Sequence, residues 1–477
     1  MKKIVLSILF ASLFFGAIAQ TSTSLYFMEN VPQSTKLNPA LQPRTNIFVG
    51  IPVLNFYENL HTNFNVKNLF QEKNGLTYTF LQKEFEYNQL YSKYKHGFSL
   101  NNDFSTSLLS GGFRLGKAYI TISYDAHIDL RSNIPSDAFK LIDRGLPDGS
   151  NLSFKDLRFN TLIYTDLSAA LSAKLTDNLT AGVRAKQILG ITDIRTKFNQ
   201  LDLYTSKDKW ELKLDGKVDV ALPIDITDEN GEMALIDSIT INSSVKSFIP
   251  SLRNPGWGFD FGTQYDINEK LSISAALNNI GFVVWARQTN NITMKGKYTY
   301  TGIHCETSSL NDIRDNVVNS FENIADSIQT QIKPKPGHKT YATALTPSLL
   351  IGSEYKPCRC FSVGILSATK FSKPSIDQQF SVSANFNPRH DWFSATTGFN
   401  YSIKGALTAS MGMSINLKVL QLYTVIDNIP LTYRSYILPE SETKSISKIN
   451  APYSFNNFSM AFGMNIMVGS SGPKDKK

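Results

Sequence analysis

The side chains best suited to chemistry in this sequence of 477 residues are its six histidines and three cysteines. None of the histidines stands at a spacing typical of metal ligands, such as His-Glu-x-x-His. The sequence also lacks a phosphate-binding P-loop and the Gly-x-Ser-x-Gly turn that exposes a nucleophilic serine. We therefore expect no catalytic residues, no metal site and no cofactor.

Two of the cysteines, Cys358 and Cys360, are separated by a single residue. A disulfide across so small a ring would be strained, and Cys305 belongs to a different predicted loop. The sequence therefore predicts no disulfide framework. It predicts two solvent-facing thiols in a turn.

A second set of candidate residues lies on one face of a predicted strand. Asp125, His127 and Asp129 alternate with Ala126 and Ile128, so their side chains share a face. An acid and a base placed in this way could transfer a proton. The other interpretation, which we favour, is a hydrated face inside a barrel.

Further charged residues occupy the polar faces of two other predicted strands. Arg184 and Lys186 share one of these faces, and Asp260 lies on the other. The two basic residues could neutralise Asp125 and Asp129 or attract an anionic ligand, and we expect pairing. All these charges are candidate polar residues of a lumen.

The elements that must position these residues show a strict two-residue alternation, which is the period of a β-strand. In the segment 407–417 every odd position is apolar and every even position is small or polar. Similar runs begin near Trp257, Ile120 and Phe458. They are about eleven residues long, as a tilted membrane-crossing strand requires, whereas strands of soluble proteins have about five or six residues. This length favours a membrane barrel over a soluble sandwich.

Aromatic residues stand near the ends of several runs. Two interpretations stay open: they form girdles at the membrane interfaces, or they reflect the ordinary preference of aromatic residues for strands. The residues concerned are Trp257, Tyr265, Trp285, Trp392 and Tyr401.

Short and long connections alternate along the chain, as in outer-membrane barrels, where the short turns are periplasmic. The long stretches are residues 132–154, 196–254 and 288–339. The pattern predicts fourteen strands, and a further hairpin at 201–220 would bring the count to sixteen. The predicted strand starts are near Ile47, Phe104, Ala118, Lys155, Leu179, Gly256, Leu271, Tyr341, Phe361, Gln378, Trp392, Leu407, Val419 and Asn457.

Two segments in the predicted outer loops have helical periodicity. One is Pro135–Gly145 and the other is Leu310–Ile332, which carries an apolar stripe. That stripe could pack on the rim of the barrel, or the helix could shape a ligand entry site. The predicted fold is therefore all-β: a transmembrane antiparallel barrel of about fourteen strands, with short helices in outer loops.

The first 19 residues have the pattern of a cleaved signal peptide. Lys2 and Lys3 precede an apolar stretch that ends in Ala17-Ile18-Ala19. Without those two lysines the formal charge falls from +8 to +6, and the basic residues form no stripe of the kind that binds nucleic acid. We expect a barrel at residues 46–469, in contact with outer-membrane lipid, and a polar basic tail at 470–477.

The segment 20–45 precedes the first predicted strand and contains Asn38-Pro39-Ala40. This motif resembles the N-terminal hatch of outer-membrane barrels of the long-chain fatty-acid transporter type, and of related barrels associated with type IX secretion. The chain looks most similar to a family of outer-membrane proteins of unknown function. The resemblance implies a plug inside the barrel, formed by this segment. An Asn before Pro also favours a turn in which the amide bonds to nearby backbone, and an ordinary surface turn is the alternative.

Two functions are compatible with these features. The first is the passage of small hydrophobic or amphipathic molecules across the outer membrane. The second is a non-transporting barrel that scaffolds a secretion or cell-surface protein complex through its long loops. An outer-membrane enzyme is the least supported class, because the sequence contains no recognisable set of nucleophile and base.

Overall fold

The structure is a computed structural model that describes residues 22–80, 84–144, 147–222, 253–300, 331–332, 334–372, 376–388, 392–403, 405, 407–438, 447–453 and 456–470. The predicted signal peptide and the tail beyond residue 470 lie outside these residues. The predicted helix Leu310–Ile332 also lies outside them, apart from its last two residues.

Strands dominate the described part of the chain, because the alternating runs give each strand one apolar and one polar face. The strands are β1 (Thr45–Gly50), β2 (Phe56–Thr62), β3 (Phe70–Lys73), β4 (Leu76–Thr79), β5 (Phe98–Leu115), β6 (Ala118–Ile134), β7 (Asn151–Ser153), β8 (Arg158–Lys174), β9 (Leu179–Thr205), β10 (Trp210–Ala221), β11 (Pro255–Asp266), β12 (Leu271–Trp285), β13 (Thr289–Tyr300), β14 (Tyr341–Ala344), β15 (Ser348–Cys358), β16 (Phe361–Lys370), β17 (Asp377–Phe386), β18 (Phe393–Ser402), β19 (Leu407–Leu417), β20 (Leu420–Pro430), β21 (Tyr433–Leu438), β22 (Ser447–Pro452) and β23 (Asn457–Ser470).

Helical elements within the described ranges are short. They are α1 (Asn88–Lys93) and α2 (Ser136–Arg144), with 3-10 turns at Ser24–Phe27, Pro32–Lys36 and Val66–Leu69. The position of α2 agrees with the predicted helix Pro135–Gly145. A search of the described residues finds no helix with the length and apolar character of a membrane span.

The strands close into a barrel because the first and last strands pair with each other. Ile47 of β1 lies opposite Val468 of β23, and Phe56 of β2 lies opposite Phe462. β1 and β2 are two halves of one wall strand, since both also pair with β5. β14 and β15 likewise form one wall strand against β12. The result is a closed antiparallel barrel of fourteen strands, which confirms the predicted fold class.

The possible count of sixteen strands is wrong, because the hairpin at 201–220 does not enter the wall. β10 pairs with the distal half of β9 and with β13. The proximal half of β9 pairs with β8 and β11. A single strand of 27 residues therefore forms both the wall and a sheet that continues beyond it. Two predicted starts also shift: β5 begins at Phe98 instead of Phe104, and β8 at Arg158 instead of Lys155.

The distribution of polarity across the wall is the reverse of that in a soluble protein. In β17 the outward Phe380 and Val382 are 45% and 50% exposed, whereas the inward Gln379 and Ser381 are 1% and 5% exposed. In water this arrangement would be unfavourable, because the burial of apolar surface is the main driving force of folding there. The exposed apolar band and the polar interior instead match a barrel surrounded by lipid.

One of the predicted girdle residues is placed elsewhere. Trp257 and Tyr265 lie exposed near the two ends of β11, as a girdle requires. Trp285 is fully buried, and its indole N–H donates to Thr343 Oγ1 at 2.9 Å. Its assignment to the membrane interface is therefore wrong. β14 covers this ring, and the sequence pattern of β12 contains no information about that contact.

Candidate functional site

The segment before the first strand fills the interior of the barrel. We call residues 22–44 the hatch. Their side chains bond to the wall on several sides: Thr23 Oγ1 donates to Asn400, the Tyr26 hydroxyl lies 2.9 Å from Ser274 Oγ, and Gln33 Nε2 donates to Asn465 Oδ1 at 2.7 Å. Irregular backbone is tolerated at membrane depth when it is enclosed by protein in this way.

Aromatic side chains of the hatch pack onto the glycines of two wall strands. A Cβ on Gly352 of β15 would meet the Tyr26 ring at 3.1 Å, and one on Gly364 of β16 would meet the Phe27 ring at 2.5 Å. Both rings belong to a buried cluster with Leu350. The missing Cβ atoms therefore make the room that these two rings occupy.

The Asn38-Pro39-Ala40 motif forms a buried turn against β9 and β11. Asn38 Oδ1 accepts the backbone N–H of Ala40 at 2.9 Å, and Asn38 Nδ2 donates to the Tyr26 hydroxyl at 2.9 Å. Gly182 and Gly262 lie opposite each other in the two strands. A Cβ on Gly182 would meet the Pro39 carbonyl carbon at 2.2 Å, and one on Gly262 would meet Asn38 Oδ1 at 2.0 Å. We call Gly182 and Gly262 the paired-glycine seat. The two glycines leave space for the motif, and a larger residue at either position would clash with it.

Charged side chains attach the middle of the hatch to the wall. Lys36 Nζ lies 2.7 Å from Asp125 Oδ1 and 2.8 Å from Ser107 Oγ. On the other side, an Arg184 N–H donates to the Thr35 carbonyl at 2.9 Å. Arg184 and Lys186 both pair with Asp260, at 3.3 and 2.9 Å.

The partners of Arg184 and Lys186 correct one expectation. Neither basic residue neutralises Asp125 or Asp129, because both are held by Asp260 on the neighbouring strand. Arg184 lies opposite Asp260 in the β9–β11 ladder. The cation at Asp125 comes from the hatch, from Lys36. Charges on opposite sides of the lumen are thus balanced locally.

A cavity of about 200 Å³ lies on the side of the hatch toward the long loops, and we call it the outer cavity. Five of the six predicted lumen residues line it: Asp125, His127, Asp129, Arg184 and Lys186. Asp260 lies behind Arg184 and Lys186 and is fully buried. The lining residues that the sequence did not single out include Lys36, Phe56, Asp103, Phe104, Tyr164, Asp166 and Lys370.

A second cavity, of about 290 Å³, lies on the side of the hatch toward the short turns, and we call it the inner cavity. It is lined by Glu29 and Ser34 of the hatch and by Glu354 of β15. Lys36, two residues from Ser34 in the same 3-10 turn, lines the outer cavity. The turn Pro32–Lys36 therefore lies between the two cavities. The turn Ser24–Phe27 does so too, because Leu25 lines the outer cavity and Phe27 lines the inner one.

Glu29 fixes the hatch at its inner face. Its carboxylate accepts a hydrogen bond from Arg44 NH2 at 3.0 Å and another from the ammonium of Lys356. Burial alone would raise the pKa of Glu29, but the positive charges of Lys356 and Arg44 outweigh it and lower this pKa to about 2. The hatch carboxylate is therefore ionised at neutral pH and tied to β15.

Sequence reasoning missed the role of Asp166. The His127 Nε2 lies 2.7 Å from Asp166 Oδ2, and Asp166 lies directly opposite Asp125 in the β6–β8 ladder. Asp129 is two residues from His127, but it does not belong to this group of ligand atoms. An inward position of Asp166 follows from the two-residue period of β8, but only the register of two strands shows that it meets Asp125 and His127.

The fold and the filled interior define the class: a transmembrane β-barrel whose N-terminal segment lies inside it. The chain belongs to the family of unknown function DUF5723, whose model matches residues 39–427. This confirms the expected relationship to a family of unknown function. No curated protein matches the sequence.

The solved structures to which the chain is similar include three barrels, each with about 10% identical residues. The toluene transporter TbuX of Ralstonia pickettii is 10% identical, with 92% of this chain and 94% of that chain covered and a TM-score of 0.39. The CymD monoaromatic hydrocarbon channel is 9% identical, with 95% and 98% covered and a TM-score of 0.44. A FadL homologue of Pseudomonas aeruginosa is 9% identical, with 93% and 95% covered and a TM-score of 0.41.

Proposed function

We propose that the protein is an exported outer-membrane barrel that passes a small amphipathic molecule through a lumen gated by its hatch. The observation that carries the proposal is the pair of cavities on either side of two 3-10 turns of the hatch, Ser24–Phe27 and Pro32–Lys36. A solute in the outer cavity reaches the inner cavity only if the hatch moves. The hatch is held mainly by side-chain contacts, so its displacement leaves the barrel wall intact.

The lining of the outer cavity favours an amphipathic solute over a purely hydrophobic one. Phe56, Phe104 and Tyr164 provide apolar surface, whereas Asp129 and Lys370 belong to a set of charged groups around the same space. A hydrocarbon would have to displace water from these charges without replacing its hydrogen bonds, which is costly. A solute with a polar end and an apolar end satisfies both kinds of surface.

A reversible disulfide tests the gating proposal. Ser24 Oγ bonds to the Asp427 carboxylate of β20, so these two positions are neighbours across the boundary between the hatch and the wall. The pair S24C/D427C would be made in a background with Cys305, Cys358 and Cys360 replaced by Ser. Because Arg44 continues directly into β1, the disulfide fixes both ends of the hatch. Purified protein in liposomes would be assayed for uptake of phenylalanine, a poorly permeating amphipathic solute.

The oxidised pair is expected to take up phenylalanine at the rate of protein-free liposomes, and reduction is expected to restore uptake. The matched control is S394C/S414C, since these serine hydroxyls lie 2.7 Å apart and join two wall strands to each other. Its oxidation should change nothing. Equal uptake by oxidised and reduced S24C/D427C protein would overturn the proposal.

The scaffold function remains a second candidate, because the wall continues far beyond the membrane on one side. β9 has 27 residues, or about 90 Å at roughly 3.3 Å per residue, against a hydrocarbon core of about 30 Å. Its distal half, β10 and β13 form a sheet that presents the exposed Trp210. This candidate requires a partner that co-purifies in a fixed ratio and is lost in a W210A variant that still folds.

A further inference from the structure

Three ligand-type atoms converge on the wall of the outer cavity. One oxygen each of Asp125 and Asp166 and one imidazole nitrogen of His127 all lie within 4.8 Å of one another. Asp125 and His127 come from β6, and Asp166 comes from β8. All three residues line the outer cavity, so that an ion can reach them from there.

The two carboxylates need a cation between or beside them. Asp125 and Asp166 are direct cross-strand partners and are both buried. Like charges directly opposite each other in an antiparallel pair destabilise it, and burial strengthens the repulsion. In the structure Lys36 Nζ contacts Asp125 and His127 contacts Asp166. The ammonium beside Asp125 therefore comes from a residue of the hatch and not from the wall.

Neighbouring side chains contact two of the three residues, Asp125 and His127. Ser123 Oγ donates to Asp125 Oδ2 at 2.8 Å and lies 2.9 Å from Ser168 Oγ. The Tyr164 ring stacks on the His127 imidazole, with centroids 4.6 Å apart and planes at 13°. Outer partners that orient carboxylate and imidazole ligands are typical of built metal sites, where their loss weakens binding about 10–100-fold.

We propose that Asp125, His127 and Asp166 bind a divalent transition-metal ion of the zinc type, and that the ion competes with the Lys36 ammonium for Asp125. One imidazole nitrogen and two carboxylate oxygens form a ligand set that Zn²⁺ uses in proteins, with water or substrate at a fourth position. Ca²⁺ and Mg²⁺ prefer more ligands, all of them oxygen. Imidazole therefore favours the transition metal.

Competition at Asp125 connects the ion to the hatch. Lys36 belongs to one of the two 3-10 turns that lie between the cavities. An ion that takes Asp125 removes the ion pair between this turn and β6. The metal site and the transport function are separate claims, because metal binding can be measured on a barrel that transports nothing.

Titration of the detergent-solubilised protein with Zn²⁺ alone tests the site, in the background without cysteines so that thiols do not contribute. We expect one ion per chain, with Mg²⁺ and Ca²⁺ binding at least tenfold more weakly. His127→Ala and Asp166→Asn should each weaken Zn²⁺ binding at least tenfold. His96→Ala is the matched control, since His96 lies exposed in an outer loop, and it should bind Zn²⁺ like the parent.

Lys36→Gln separates a metal site from a merely structural cluster. This variant retains all three ligands and removes a competing positive charge, so Zn²⁺ should bind it several-fold more tightly than the parent. Retained heat-modifiable migration on gels would show that each variant still folds. Absence of Zn²⁺ binding in the parent, or unchanged affinity in folded His127→Ala protein, would overturn the site. Unchanged affinity in Lys36→Gln would overturn the competition.

Discussion

The Lys36 ammonium and the Asp125 carboxylate lie 2.7 Å apart, across the boundary between the hatch and the barrel wall. Asp125 is almost fully buried, whereas Lys36 is about one-third exposed to the outer cavity. The pair joins the turn Pro32–Lys36 of the hatch to the strand that carries His127. Its strength therefore bears on both gating and metal binding.

Removal of this charge should loosen the hatch. In Lys36→Met the turn Pro32–Lys36 loses its ion pair with β6 and its bond to Ser107. We expect faster amide hydrogen exchange in the hatch and more frequent opening events in planar-bilayer recordings, with the wall strands unchanged. Lys295→Met, which removes an exposed lysine from β13, should leave both measurements at the parent values. Equal rates of amide hydrogen exchange in the two variants would show that Lys36 does not hold the hatch in place.

A methyl group in the paired-glycine seat should displace the hatch. Gly262→Ala would place a Cβ 2.0 Å from Asn38 Oδ1, a contact that the buried turn cannot avoid without moving. We expect limited proteolysis to cut the hatch of this variant faster than that of the parent. Gly258→Ala in the same strand is the control, because its Cβ would meet only ordinary contacts at 3.4–3.5 Å. If both variants resist proteolysis equally, the seat does not hold the motif.

Loss of the buried anion at Asp260 should destabilise the whole barrel. Asp260→Asn leaves Arg184 and Lys186 buried without their counter-ion, and breaking such a pair costs about 3–5 kcal/mol. Asp215→Asn removes a partly exposed carboxylate whose partner Lys295 is itself exposed, and it should cost at most about 1 kcal/mol. Urea unfolding in lipid vesicles measures both. Similar losses in the free energy of unfolding would show that the ion pairs of Asp260 stabilise the barrel no more than an exposed ion pair does.

The lipid-facing assignment of the outer wall can be tested with a depth series on β19. Met413 lies near the middle of the strand and points outward, at 44% exposure. Met413→Arg should therefore cost about 2–4 kcal/mol, whereas Leu417→Arg at the strand end should cost about 0–1 kcal/mol. Vesicle unfolding and membrane fractionation check these values. Equal costs at the two depths would argue against a bilayer around this face.

Acid should weaken the attachment of the hatch through Glu29. Its pKa in the folded protein is about 2, against an ordinary value of 4.5. A folded pKa below the unfolded one contributes stability that is fully present above about pH 4.5 and is lost as the pH falls toward 2. The stability of the hatch should therefore decline across this window.

Glu29→Gln should remove that part of the pH dependence. We expect the variant to exchange its hatch amides faster than the parent at pH 6, and the difference should shrink as the pH approaches 2. The control is Glu72→Gln, because Glu72 pairs with Arg434 in an exposed position of the outer loops. A difference between parent and Glu29→Gln that stays constant from pH 6 to pH 2 would contradict the role of Lys356 and Arg44.

The register of the strands decided which lumen charges meet. Sequence alternation placed Arg184, Lys186 and Asp260 on inward faces, and all three lie inward. It could not show that Asp260 takes both basic residues, or that Asp166 joins His127. A strand pattern has a period of two residues and is local, whereas cross-strand neighbours depend on pairing between segments far apart in the chain.

By itself the sequence determined the wall, because an eleven-residue alternation fixes which side of each strand is apolar, as at Met411 and Met413 of β19. It also placed a turn at Asn38-Pro39, since proline restricts the residue before it. Only the tertiary structure decided that Trp285 is buried, that β10 stays outside the wall, and that Lys36 reaches Asp125. These outcomes depend on the closure of the barrel and on where each residue lies inside it. Both bring together segments that are far apart in the chain, whereas the local pattern only sets the face of each strand.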